Sequence, residues 1–203
     1  MLRWLWRLII WFRFLRDMAR LDLDLVPTHA DEAGGLAFLG TAHASLTLFA
    51  FGVGCILSGD AAFRLVYDGA KIESMKTILF SQIVISELYV LGPLILFTPM
   101  LARVRRTGLR TYGHLVNRYN RAFHDKWAAG PPPEGEPLLG SADIQSLADL
   151  GTSFDRIRSM KLFPFTQRLV IQVAVAAALP ALPLVLLVIP VAEILKILAG
   201  ALL

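Results

Sequence analysis

Three long apolar runs, separated by polar and charged segments, set the frame of this 203-residue chain. The first, 36–57, reads LAFLGTAHASLTLFAFGVGCIL. At 1.5 Å per residue it reaches ~33 Å, enough to cross a ~30 Å hydrocarbon layer. The second, 77–102, contains Pro93 and Pro99, either of which removes a backbone hydrogen bond and kinks a helix. The third, 169–190, carries Pro180 and Pro183 mid-span, where a bend or a locally unwound turn is expected. Small residues recur four apart in the first run, as Ala37, Thr41, Ser45 and again as Ala50, Gly54, Ser58. Such rows let another helix approach closely, within the chain or in a second copy.

The segments between the runs have periodicities of their own. The opening MLRWLWRLIIWFRFLR is too often interrupted by arginine to span, and its tryptophans predict a helix at headgroup level over 1–20. Residues 21–35 form a polar collar, and 58–76 an external loop. After the second run, Leu109, Tyr112, Val116, Tyr119, Phe123 and Trp127 recur every three or four residues, which predicts an amphipathic helix. The proline-rich run 131–137 ends it. A second amphipathic helix follows an N-cap at Ser141, with Ile144, Leu147, Leu150, Phe154, Ile157 and Met160 as its stripe. Segment 103–168 is therefore predicted to be a helical hairpin, and 191–203 a C-terminal helix.

Composition strengthens this picture. The chain is 56% hydrophobic and 18% charged, against roughly 45–50% and 25% for ordinary soluble domains. Basic residues are dense before the first run (Arg3, Arg7, Arg13, Arg16, Arg20) and between the second and third, and sparse elsewhere. That alternation places the N-terminus and the hairpin in the cytoplasm, and the 58–76 loop and the C-terminus outside. The expected fold is an all-α integral membrane protein: three transmembrane helices, an interfacial N-terminal helix and a cytoplasmic helical hairpin. The net charge of +4 follows from the same bias. No nucleic-acid partner is expected, and Arg103, Arg105 and Arg106 are read as contacts for anionic lipid headgroups. The single cysteine, Cys55, excludes an intrachain disulfide and cysteine-based zinc motifs.

Candidate chemistry is limited. No GxSxG, P-loop, HExxH or GxGxxG is present, so nucleophilic catalysis finds no support and no cofactor is expected. A membrane enzyme using the cytoplasmic His/Asp cluster stands as a third reading. Glu87 is the sharpest residue, because a carboxylate near the bilayer centre costs roughly 3 kcal/mol or more unless protonated, paired or wetted. His43, Gln82 and Gln172 are the other intramembrane polar candidates. Counted from the cytoplasmic boundary, His43 lies ~10 Å deep and Glu87 ~22 Å, which argues against a direct pair and favours His43 with Gln172. In the collar, Thr28 and Asp31 match a loose capping box for the first span. The competing reading of the collar is a metal site at His29 and Asp31, completed by His114, His124 or Asp125; O and N ligands alone are not diagnostic.

The stretches LDLDLVPTHADEAGGLAFLG (21–40), GPLILFTPML (92–101) and EPLLGSADIQSLADLGTSFDRIRSMKLFPF (136–165) resemble an uncharacterised family of bacterial multi-spanning inner-membrane proteins. The resemblance covers about half the chain and implies an inner-membrane location, with no established activity to carry over. Members of that family have a longer N-terminus with a further hydrophobic segment, implying a shortened form or a shorter member here. Their first motif is THPDRAGG, where this chain has Ala30 and Glu32 in place of proline and arginine. The reversed charge weakens any fixed anion-binding role for position 32. The expected function is an oligomeric channel-like or transport-related protein, through self-association of the chain. The alternative is a non-catalytic accessory subunit of a larger membrane complex.

Overall fold

The computed structural model describes residues 2–69, 72–131, 135, 137 and 140–184. The C-terminal helix expected over 191–203, the last part of the third span and most of the 131–137 turn lie outside the described residues. The fold is helical, with no strand among the described residues. Its helices are α1 (Leu2–Met18), α2 (Phe38–His43), α3 (Thr47–Tyr67), α4 (Ile72–Ile95), α5 (Thr98–Trp127), α6 (Ala142–Ser159) and α7 (Gln167–Ala178). Three stretches are long and apolar enough to cross a membrane: Phe38–Tyr67, Lys76–Ile95 and Gln167–Leu184. Only 22–33% of their residues are buried within the chain, as expected for helices whose remaining surface faces lipid or another protein.

Two boundaries differ from the sequence reading. The first run continues as helix to Tyr67, taking in ten residues assigned to the 58–76 loop. Asp60 and Arg64 form a 2.8 Å i,i+4 ion pair on that extension, which keeps its charges exposed and paired. The second run does not reach Ala102 as one helix. It stops at Ile95, and a turn at Leu96–Phe97 precedes α5, where Pro99 sits in the first turn. Proline is suited there because its missing N–H would have no intrahelical partner. Pro93 is accommodated inside α4. Pro180 lies in a 3-10 turn, Leu179–Ala181, the local unwinding expected of the third span.

The chain divides into two compact units. One comprises Met1–Leu39 and Leu94–Pro164: α1, the collar, α5 and α6. Here α5 and α6 are antiparallel, as the predicted hairpin requires. Tyr119, Lys126 and Trp127 near the end of α5 meet Asp143 at the start of α6, while Arg105 near its beginning donates to the Arg158 carbonyl at 2.8 Å. Every predicted apolar position of α5 is half-buried. Of the second stripe, Ile157 and Met160 (the latter just past the end of α6) are buried, and Leu147, Leu150 and Phe154 are half-buried. Ile144, expected on the same face, is exposed at the start of the helix.

The other unit comprises Gly40–Pro93 and Phe165–Leu203. Ala50, Gly54, Ser58 and Ala61 are the buried residues of α3. A Cβ on Gly54 would lie 2.7 Å from the Ala177 carbonyl oxygen and 3.1 Å from Pro180 Cγ. The second small-residue row is thus used within the chain, to bring α3 against α7. Ala61, Ala181 and Leu184 form a buried cluster with Ala62 and Leu79 beside it.

Candidate functional site

Within the second unit, α4 concentrates the polar side chains. Gln82, Ser86 and Val90 recur at four-residue spacing and are all buried, so one face of α4 is turned inward. Gln82 Nε2 donates to Ser86 Oγ at 3.3 Å and to the Ala50 carbonyl at 3.4 Å, both long bonds. His43, only 1% exposed, sets its Nδ1 2.6 Å from the Val90 carbonyl oxygen. With a carbonyl as partner, that nitrogen must carry the proton and donate. Both carboxyl oxygens of Glu87 are shielded from solvent and make no hydrogen bond among the described residues. The backbone of Ala174 on α7 approaches this carboxyl. Glu87 therefore points into its own unit.

These contacts revise the depth argument. His43 bonds to Val90, three residues from Glu87, so the two lie about one helical turn apart along α4, ~4.5 Å. The earlier ~12 Å offset counted α4 as continuing to Ala102. Ending the span at Ile95 moves the reference by ~10 Å. Gln172 is exposed instead, on an open groove of about 450 Å³ between α3 and α7, lined also by Thr47, Leu48, Phe51, Ile171 and Val175.

The collar is organised around Asp31. Its Oδ1 accepts the backbone N–H groups of Ala33 (2.9 Å) and Gly35 (3.0 Å), and its Oδ2 that of Ala37 (3.0 Å). The chain curls this tightly because Glu32, Gly34 and Gly35 have positive φ angles of 57°, 65° and 98°. Glycine adopts these freely; Glu32 does so at a cost. Partial burial raises the Asp31 pKa, but the N–H groups of Ala37, Ala33 and Gly35, with His29, outweigh it and hold the pKa at about 2. His29 Nδ1 lies 2.8 Å from Asp31 Oδ1 and 3.3 Å from the Asp31 backbone nitrogen. The shorter contact favours a protonated Nδ1 donating to the carboxylate.

The Thr28–Asp31 capping box is replaced by this arrangement. Asp31 turns its carboxylate to Ala33, Gly35 and Ala37 and caps the turn ahead of α2 by itself. The metal set fares differently again. Among the described residues no three His, Cys, Asp or Glu side chains gather around one point. The lone pairs of Asp31 are engaged by N–H groups, and His114, His124 and Asp125 stand exposed along α5. Ser141 has the extended backbone of an N-cap, yet its buried hydroxyl makes no cap bond. What docks on the collar is the hairpin. The Lys161 N–H donates to the Glu32 carbonyl at 2.7 Å, Lys161 Nζ lies 3.0 Å from Glu32 Oε2, and Pro27 seats against Gly108.

No family model, curated protein or solved structure matches this chain. The functional reading therefore rests on the residues themselves. One of them, Asp143, was not singled out by sequence. Its carboxylate is held below the usual range by hydrogen bonds from Lys126 Nζ (2.9 Å) and Trp127 Nε1 (3.0 Å). The signal for it was its place in the first turn of α6, where an acid also suits the helix dipole.

Proposed function

We propose that the chain is a three-span protein of a bacterial inner membrane, acting as a channel-like or transport-related protein, with Glu87 as the group that a proton or small cation meets on its way across. The observation that carries this reading is the Glu87 carboxyl, shielded from solvent and without a side-chain partner among the described residues, beside the Gln82, Ser86 and His43 cluster. Acidic side chains inside a span are retained against a large desolvation penalty, and they mark ion and proton routes by default. A cytoplasmic side for both collar and hairpin agrees with their packing in one unit. Self-association has its support in the exposed groove between α3 and α7, since the Ala50–Gly54–Ser58 row is already occupied. The test is flux across proteoliposomes by wild-type protein and Glu87→Gln. Loss of flux with assembly intact supports the proposal, and unchanged flux contradicts it.

One observation favours the accessory-subunit reading. Trp4, Trp6, Ile9, Ile10, Phe12 and Phe14 of α1 are all exposed. At 100° per residue they surround the helix. A helix lying flat in the interface buries one face only, so the rest call for protein. Co-purification of different proteins in fixed ratio under mild detergent favours that reading, and self-association alone removes it.

A further inference from the structure

Arg103, Arg106, Arg110, His114, Arg118 and Arg121 are all exposed on α5, at spacings of three or four residues. At 100° per residue they fall within a stripe ~120° wide and ~27 Å long. The opposite side of α5, with Leu101, Gly108, Tyr112 and Tyr119, is the buried or half-buried side. No acid precedes Asp125 in α5, and among the described residues no ion pair neutralises the stripe. Arg105 lies on the buried side and donates to the Arg158 carbonyl, so it does not belong to the set.

The stripe is more than excess charge. An open groove of about 670 Å³ flanks its distal half, where His114 and Arg118 of the stripe meet Thr111, Leu115 and, toward the half-buried side, Tyr112. Hydroxyl and guanidinium donors beside an apolar edge suit a phosphate group carrying a glycerol or acyl portion. The chain also fixes the setting: α5 begins at Thr98, directly after the spanning helix that ends at Ile95. A cationic face tethered so closely to a span meets headgroups at high effective concentration.

We propose that this five-arginine face of α5 is a docking surface for the anionic phospholipid headgroups of the host membrane, with the His114–Arg118 groove holding one headgroup phosphate. The inference is independent of any role for Glu87. Phospholipid is favoured over nucleic acid because Tyr112 and Leu115 edge the groove with half-apolar surface and the helix is tied to the bilayer.

The test uses full-length protein in detergent micelles, with retained phosphatidylglycerol and phosphatidylcholine counted by native mass spectrometry. Wild type retains phosphatidylglycerol preferentially. Arg106→Gln/Arg110→Gln/Arg118→Gln, all on the exposed face, lowers that preference at least about tenfold while leaving the melting temperature in place. A control losing the same charge elsewhere, Arg156→Gln/Arg158→Gln/Arg168→Gln, keeps it. Equal loss in both variants, or none in the first, overturns the proposal. So does single-stranded RNA that displaces the lipid from wild type at physiological salt, which assigns the face to nucleic acid.

Discussion

Asp31 accepts three backbone N–H groups in the space of seven residues, and its removal should be felt well beyond the collar. Asp31→Asn leaves at most one good acceptor oxygen, with an expected loss of about 1–3 kcal/mol, read as a lower melting temperature in detergent. The pH dependence has a definite sign. A carboxyl held at about 2 when folded, against 3.8 ordinarily, stabilises the fold fully above pH 3.8. That contribution is lost as the pH falls through 2. After solvent screening it amounts to about 1–2 kcal/mol. Acid titration of melting temperature checks it: wild type should lose stability in that window, and Asp31→Asn should show a flatter curve. Gly54 and Gly52 make a paired test on α3. Gly54→Ala drives a Cβ against the Ala177 carbonyl and should cost about 1–3 kcal/mol, whereas Gly52 has nothing within 4 Å. Gly52→Ala should gain up to about 1 kcal/mol from helix propensity. Equal melting temperatures for the two would contradict the close α3–α7 contact. Little of the collar geometry was legible beforehand. Thr28 and Asp31 have capping-box spacing, but the left-handed turn at 32–35 redirects the carboxylate to Ala33, Gly35 and Ala37.

Elements were easier to read than contacts. The apolar runs located all three helices long and apolar enough to cross a membrane, and the three-four repeat of α5 gave its half-buried face position by position. Helix ends are harder to read where polar residues suggest a loop. Ser58, Gly59 and Asp60 look like a loop start, yet the Asp60–Arg64 spacing was a helix signal present in the sequence. Pro99 reads as a kink inside an apolar run, yet its place suits the first turn of a new helix. A helix break at Leu96–Phe97 instead of Ala102 shifts the expected position of Glu87 relative to that end by about two turns. The hairpin is pinned at its far end by Asp143 and Tyr119. Tyr119→Phe deletes the 3.2 Å bond to the Asp143 carbonyl and should cost about 1 kcal/mol, with faster amide exchange at the start of α6. Unchanged exchange there would mean that the two ends are held by apolar contacts alone.

At the scale of the molecule, a chain with 56% hydrophobic residues leaves most of its spanning surface uncovered, and its polar side chains are correspondingly informative. Beside α3 and α4, His43, Gln82 and Ser86 have partners, while the Glu87 oxygens are shielded with no side-chain partner among the described residues. Sequence gave Glu87 and His43 as candidates from polarity in an apolar run. Their closeness along α4, set by the His43–Val90 contact, depends on where α4 breaks and was not legible. The most direct measurement is the rate of proton and cation flux in proteoliposomes holding equal amounts of wild-type protein and Glu87→Gln. The account predicts flux in wild type and at least a tenfold lower rate in Glu87→Gln, with melting temperature and oligomeric state retained. Equal rates in the two, or no flux above empty liposomes in either, would contradict it.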